Sequence, residues 1–125
     1  MNKVLVHKHI IIRAEVLDPI INKTKSVKFL RRMIKAIGMK AMYGPVASYS
    51  KMPGNKGLTA FAIIETSHIA MHIWDETNPA LVQLDVYTCG PFEPQSVLDL
   101  LQELNPTKVE FKYLDREKGF TELTI

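Results

Sequence analysis

The chain has 125 residues, of which 46% are hydrophobic, and a formal net charge of +3 at neutral pH. This length and hydropathy favour one domain, residues 1–125, with a single core, and they exclude a disordered chain. No apolar run approaches the roughly 20 residues of a membrane-spanning helix, and the charges scattered through residues 1–16 argue against a signal peptide. The single cysteine, Cys89, cannot form an internal disulfide. We therefore expect a cytoplasmic protein without a membrane partner.

Alternating apolar segments predict the order of strands and helices. Strands are predicted over residues 3–16, 43–49, 58–65, 69–74, 81–88 and 108–114, the last closing the sheet. A helix is predicted from about Ser26, with Ser26 or Thr24 as its N-cap and Gly38 at its end, and Pro94 opens a second helix. Helices on one face of a largely antiparallel sheet give an α/β (α+β) fold, a two-layer sandwich.

The second face of this sheet has no helix to cover it. The runs 10–12 and 61–64 are apolar at consecutive positions, which favours burial on both faces of their strands. A second copy of the chain is the simplest cover, so we predict a homodimer packed sheet to sheet. The alternative is that polar side chains occupy this face.

Basic residues are concentrated in one segment. A basic patch of this kind is typical either of a nucleic-acid surface or of the solvated face of an amphipathic helix. The helical spacing of the apolar residues between them favours the solvated face, so a nucleic-acid partner is not expected. The residues concerned are Lys23, Lys25, Lys28, Arg31, Arg32, Lys35 and Lys40.

The reactive side chains gather in one window of the sequence. It contains a serine, two histidines and the only cysteine within two short motifs, Glu65-Thr66-Ser67-His68-Ile69-Ala70-Met71-His72-Ile73-Trp74-Asp75-Glu76 and Asp85-Val86-Tyr87-Thr88-Cys89-Gly90. This window resembles the core of the small pyruvoyl-dependent S-adenosylmethionine decarboxylases of bacteria and archaea. Their pattern reads Glu-Ser-His-hydrophobic-x-hydrophobic-His-Thr-Trp-Pro-Glu, then Asp-Val-aromatic-Thr-Cys-Gly. The resemblance runs from about Lys8 to Leu114.

The resemblance implies a self-cleaving proenzyme. Ser67 would attack the carbonyl carbon of the residue before it, and the chain would break between Thr66 and Ser67 into residues 1–66 and 67–125. Ser67 would become a pyruvoyl group, which forms a Schiff base with the substrate amine and accepts electrons as carbon dioxide leaves. The product would be the aminopropyl donor of polyamine and spermidine synthesis. Neither a metal nor pyridoxal phosphate is expected.

The resemblance also implies roles for individual residues. His72, five positions after the serine, would transfer a proton during processing, and Thr59 would support the ester intermediate. Cys89 would protonate the substrate carbon after decarboxylation. The residues implied in substrate binding are Trp74, Glu76 and His68.

Two departures from the pattern leave alternatives open. Thr66 replaces the glutamate that precedes the serine, so an unprocessed, non-catalytic homologue with a binding or regulatory role is one alternative. Arg13 stands where an acidic residue is expected, and an arginine can hold a carboxylate bidentately. A decarboxylase of the same fold that acts on another amino acid, such as ornithine or arginine, is the other.

Strand geometry places a condition on this site. Five residues of a straight strand span on the order of 16 Å, and an odd offset puts two side chains on opposite faces. Ser67 and His72 therefore meet only through a turn or through a neighbouring strand or subunit. We favour a turn near Ser67 and a site at or close to the dimer interface. His7 and His9 share a strand face, but no carboxylate or cysteine is obviously placed to complete a metal site there.

Overall fold

The computed structural model describes residues 6–125 and contains one antiparallel sheet of seven strands. The strands are β1 Lys8–Val16, β2 Ala41–Ser50, β3 Gly57–Ile64, β4 Ser67–Trp74, β5 Ala80–Thr88, β6 Pro106–Asp115 and β7 Thr121–Leu123. The helices are α1 Lys23–Ala36 and α2 Pro94–Leu101, and a single 3₁₀ turn, Gln102–Leu104, follows α2. The strand order is β2-β3-β4-β5-β1-β6-β7, and all neighbours are antiparallel. The predicted fold class is confirmed.

The observed strands β2 to β6 each differ from the predicted ones by one or two residues at one or both ends, and three other differences concern the first strand, the sheet edge and the N-cap of α1. The first strand begins at Lys8, and the part of the predicted strand at residues 3–5 lies outside the described residues. The prediction that residues 108–114 close the sheet is wrong, because β7 pairs with β6 beyond them. The N-cap of α1 is Asn22, not Ser26 or Thr24: its side-chain oxygen accepts a hydrogen bond from Lys25 N. Asparagine is among the preferred N-cap residues.

The core lies between the helices and one face of the sheet. Alternate residues of the central strands are buried there, as the two-residue period of a strand requires. From α1, Phe29, Leu30 and Met33 pack onto this face, and from α2, Val97 and Leu101 do so. Both helices thus bury the apolar side that the sequence predicts. None of the described helices has the length and hydropathy needed to cross a membrane.

The basic segment lies on the outer side of α1 and just beyond it. All seven basic residues named above are exposed. Arg32 forms a bidentate hydrogen-bonded pair with Glu103 at 2.6 and 2.8 Å. This is the arrangement of a solvated helix face. The absence of a nucleic-acid partner stays a prediction.

We call the second face of the sheet the open face, since neither α1 nor α2 packs against it. It exposes large apolar side chains, among them Ile11, Phe61 and Ile63 at 43%, 38% and 46%. Polar side chains are interspersed with them. The open face thus has both the apolar side chains that favour a dimer and the polar side chains of the alternative. Contiguous exposed apolar surface is typical of interaction sites. The homodimer stays a prediction.

Replacing Gly57 with alanine is expected to destabilise the pairing of β3 with β4. A Cβ at this position would clash with the carbonyl oxygen of Ile73, so one strand has to shift. Overpacking of this kind costs about 1–3 kcal/mol of unfolding free energy. Urea unfolding measures it, with Gly90→Ala as the control because a Cβ there meets nothing within 4 Å. Equal stabilities of the two variants would contradict the prediction.

Candidate active site

The predicted cleavage position lies at the hairpin between β3 and β4. Glu65 and Thr66 form the turn, and Ser67 is the first residue of β4. Thr66 has a φ of 45°, in the left-handed region that β-branched residues rarely enter. A residue held in this region carries conformational strain of order 1–3 kcal/mol. The peptide bond that follows Thr66 is therefore attached to a strained residue.

Ser67 and Cys89 are brought together at this turn. The Ser67 hydroxyl donates to the carbonyl oxygen of Glu65 at 2.8 Å and accepts from the backbone N–H of Cys89 at 2.8 Å. The Cys89 thiol and the Thr66 hydroxyl donate to the same Glu65 oxygen at 3.0 and 2.8 Å. Ser67 is buried, with 7% of its surface exposed. We call Glu65, Thr66, Ser67 and Cys89 the turn cluster.

The turn cluster changes the acidity of the thiol. Hydrogen bonding to the hydroxyl of Ser67, and then to that of Thr66, lowers the pKa of Cys89 below the ordinary value of a cysteine. Cys89 is half-buried. A thiol of lowered pKa is a better proton donor and forms a thiolate more readily. The role of Cys89 as a proton donor stays a prediction.

The other residues predicted to act in processing lie together on the open face. Thr59 Oγ1 and His72 Nδ1 are 2.9 Å apart, on the paired strands β3 and β4. The His72 ring is 5.9 Å from that of Trp74, whose Nε1 donates to Asn55 Oδ1 at 2.8 Å. We call Thr59, His72 and Trp74 the open-face cluster.

The two clusters do not meet within one chain. β4 is a regular strand in which Ser67 is on the helix-covered face and His72 is on the open face, about 16 Å further along. The expected turn near Ser67 is present, but it lies before the serine and leaves His72 where strand geometry puts it. The expectation that this turn joins Ser67 to His72 is therefore wrong.

A third set of polar groups was missed in the sequence. Asp85 lies beside two histidines: its Oδ2 is 2.8 Å from His9 Nε2 and 3.0 Å from His68 Nε2. The expectation that no carboxylate accompanies His9 is thus wrong. β1 and β4 both pair with β5, which carries Asp85, and only this non-sequential strand order brings the three together. The Asp-Val-aromatic motif was the only signal for Asp85.

Beside these histidines the open face has a cleft of about 580 Å³. Arg13, His72, Asp85 and Glu110 contribute to its walls. Arg13 Nη1 donates to Glu15 at 3.0 Å and to Glu110 at 3.2 Å. The guanidinium, one candidate for binding a substrate carboxylate, is thus already in contact with two carboxylates of its own chain.

Comparison with known proteins identifies the family. A family model described as S-adenosylmethionine decarboxylase matches residues 8–117. The chain belongs to the S-adenosylmethionine decarboxylase family. This confirms the predicted resemblance, and the match includes both motifs that carry it.

Relatives in this family are archaeal proteins named S-adenosylmethionine decarboxylase proenzyme. That of Pyrobaculum islandicum is 38% identical over 118 residues, which cover 91% of this chain and 90% of the relative. That of Pyrobaculum arsenaticum is 44% identical over 78 residues, 61% of this chain and 60% of the relative. The crystal structure of the Aquifex aeolicus adenosylmethionine decarboxylase is 22% identical, with a TM-score of 0.69 over 97% of this chain and 98% of its own. This likeness concerns the fold.

Glu76, expected among the substrate-binding residues of this family, is engaged by a loop. It accepts hydrogen bonds from Lys56 N at 3.0 Å and Gly54 N at 3.1 Å. These bonds, that of Lys56 first, lower the pKa of Glu76. The carboxylate ties the loop between β2 and β3 next to Trp74.

The bonds to this loop are expected to be lost in acid. The lowered pKa means that the loop is fully anchored above the unfolded-state pKa of Glu76 and is released as pH falls through the folded value. The amide chemical shifts of Gly54 and Lys56 should titrate together by NMR, with a midpoint below that of an ordinary glutamate. Glu76→Gln should abolish this step. A midpoint at or above the ordinary value would contradict the assignment.

Proposed function

We propose that the chain is a proenzyme that cleaves itself between Thr66 and Ser67 and then decarboxylates S-adenosylmethionine. The observation that carries this is the Ser67 hydroxyl, held by the Cys89 N–H beside a strained Thr66. Family membership and the printed name of the Pyrobaculum relatives support the substrate. The activity is that of a carboxy-lyase, and its product would supply aminopropyl groups for polyamine synthesis. We also propose a cytoplasmic location, because reducing conditions there keep Cys89 a thiol.

Self-cleavage begins at the hydroxyl of Ser67. Its Oγ adds to the carbonyl carbon of Thr66, the Thr66–Ser67 C–N bond breaks, and an ester and a free amine form. Loss of the α-proton of Ser67 and departure of the Thr66 carboxylate then leave dehydroalanine, which water converts to a pyruvoyl group with release of ammonia. The Cys89 N–H orients the attacking oxygen, and the strain at Thr66 is relieved when the chain breaks.

The proton transfers of this reaction are assigned to His72 and Thr59. Their hydrogen bond fixes the imidazole on the open face, where Ser67 of the same chain does not reach it. We propose that two copies pack through their open faces, and that His72 and Thr59 of one copy reach the turn cluster of the other at the end of the sheet where β3 turns into β4. The exposed Phe61 and Ile63 beside Thr59 are the apolar part of this interface.

Decarboxylation uses the same two clusters. The pyruvoyl group, when formed from Ser67, supplies the electron sink for loss of carbon dioxide. The residues fit this group, because the Cys89 N–H and thiol both contact the Ser67 hydroxyl, so the thiol can deliver a proton there. Trp74 is assigned to stacking on the adenine, and Glu76 and His68 to polar contacts with the substrate. A ribose contact of Glu76 requires release of the loop amides that it now binds.

Two alternatives were left open by the sequence: a decarboxylase acting on ornithine or arginine, and an unprocessed, non-catalytic homologue. No observation supports either of them. Arg13 Nη1 is paired with Glu15 and Glu110, and these two negative charges disfavour the carboxylate of another amino acid beside it. The strain at Thr66 favours cleavage, which an unprocessed homologue lacks. The proposed enzyme uses no metal and no pyridoxal phosphate.

Intact mass of the purified protein tests the cleavage. Wild type is expected as two fragments, residues 1–66 and 67–125, the second starting with a pyruvoyl group. Ser67→Ala should stay whole, because it lacks the attacking hydroxyl. A whole wild-type chain would overturn self-cleavage, and fragments ending at Glu65 would move the reacting hydroxyl to Thr66.

The same preparation tests the substrate. Carboxyl-labelled S-adenosylmethionine, ornithine and arginine are offered separately, and released carbon dioxide is counted. Release from S-adenosylmethionine alone supports the proposal, whereas release from ornithine or arginine contradicts the assigned substrate. The uncut Ser67→Ala protein is the control for carbon dioxide released without the pyruvoyl group.

Mixed dimers test the sharing of the site between copies. His72→Ala and Ser67→Ala are each expected to stay uncut when expressed alone. Expressed together, the His72→Ala chain should be cleaved wherever it is paired with a Ser67→Ala chain, which supplies an intact His72. Size-exclusion chromatography with light scattering establishes that dimers form. Failure of this complementation in a dimer would assign His72 to its own chain.

A further inference from the structure

The histidine network, as we call His9, His68, Asp85 and Arg116, links three neighbouring strands on the open face. Asp85 Oδ2 faces His9 Nε2 of β1 and His68 Nε2 of β4. Arg116, just beyond β6, places its Nη1 3.1 Å from His9 Nδ1. A single oxygen of Asp85 therefore contacts two imidazole rings, and the guanidinium of Arg116 contacts the far nitrogen of one of them, His9.

The protons of this network can be assigned from Arg116. A guanidinium has donors only, so His9 Nδ1 accepts and His9 Nε2 carries the proton that it donates to Asp85. Burial raises the pKa of Asp85, but the hydrogen bonds from His9 and His68 outweigh it and the pKa lies below the ordinary value. Asp85 is thus an ionised acceptor, and His68 donates to it through Nε2–H.

This proton assignment opposes metal binding. The ligand atoms of His9, His68 and Asp85 lie within 4.8 Å of one another, as in a site for a divalent cation. A metal-bound nitrogen has to be unprotonated, whereas the hydrogen bond from Arg116 keeps the proton on His9 Nε2. The geometry therefore favours a hydrogen-bonded network.

Packing holds the His68 ring as well. The ring of Tyr87, on β5, lies 5.7 Å from that of His68 and 5.4 Å from that of His9. Arg116 covers Tyr87 at 4.5 Å from the ring centroid. His68 thus has a polar anchor at Asp85 and an aromatic wall beside it.

The place of His68 in the chain gives this anchor a function. His68 directly follows Ser67. Asp85 lies on β5, and Cys89 is the first residue after that strand. After cleavage, residue 67 becomes a chain end that is joined to the protein only through His68. The network then connects this end with the strand that leads to Cys89.

We propose that Asp85 is a positioning residue that holds His68, and through it the group formed from Ser67, against Cys89. The inference rests on the proposed function, since it concerns the chain end that cleavage creates. Misplacement of a reacting group by about 1 Å lowers a rate by on the order of 100-fold. The loss should therefore fall mainly on kcat, with a smaller rise in KM because His68 is also assigned to a substrate contact.

The test compares two replacements of Asp85 in the processed protein. Asp85→Asn keeps one carbonyl oxygen, which suffices for both imidazole donors because both bind the same Oδ2. Asp85→Ala removes the anchor. Asp85→Ala should lower kcat on the order of 10- to 100-fold, and Asp85→Asn should restore most of it. Asp99→Ala, which removes an exposed carboxylate on α2, is the matched control. Asp85→Ser, too short to reach both rings, replaces the alanine variant if that does not fold.

A second measurement does not depend on activity. In the uncut Ser67→Ala protein, long-range ¹H–¹⁵N spectra should show His68 and His9 protonated at Nε2. The Nε2–H of His68 should exchange slowly with water in this protein and in its Asp85→Asn variant, and fast with Asp85→Ala, which removes the acceptor. Unprotonated Nε2 atoms, or tight binding of added Zn²⁺ by these residues, would overturn the network.

The kinetic outcomes separate this inference from the proposed function. Two outcomes in a protein that does cleave itself overturn the positioning role alone. One is that Asp85→Ala has the kcat of wild type, and the other is that Asp85→Asn and Asp85→Ala lower kcat equally. A wild type that stays whole overturns self-cleavage and the positioning role with it.

Discussion

The alternation of side chains along β4 is the constraint on which the site depends. β4 pairs with β3 on one side and β5 on the other, so its direction and register are set by both neighbours. A shift of one residue would exchange all of its buried and exposed side chains, at the cost of burying polar groups. Ser67 consequently lies on the helix-covered face and His72 on the open face. One strand thus divides the proposed processing machinery into two clusters.

Polar groups near both clusters are satisfied locally. The carbonyl oxygen of Glu65 accepts from three side chains, and Asp85 accepts from two histidines. No buried side-chain nitrogen or oxygen atom among the described residues lacks a hydrogen-bond partner. Unpaired polar groups are costly in a low-dielectric surrounding, so such networks restrict side-chain motion. The strained φ of Thr66 is tolerated in this rigid setting.

Much of the fold was predictable, because strand and helix periods are local properties of the sequence. The apolar sides of α1 and α2 follow from spacing, as does the burial of alternate residues in the central strands. The N-cap and β7 were missed for different reasons. Asn22 competes with nearby polar residues that also suit a cap, and β7 is only three residues long and pairs at an edge.

The sequence alone determined the family and the candidate site residues, because motif spacing depends on residue order. Strand alternation limited how Ser67 and His72 could meet. Only the tertiary structure decided which of these residues meet. Cys89 reaches Ser67, and Asp85 reaches His9 and His68, because β5 lies between β4 and β1. Strand order depends on how the helices cross the sheet to bury a common core, and that is not a local property of any segment.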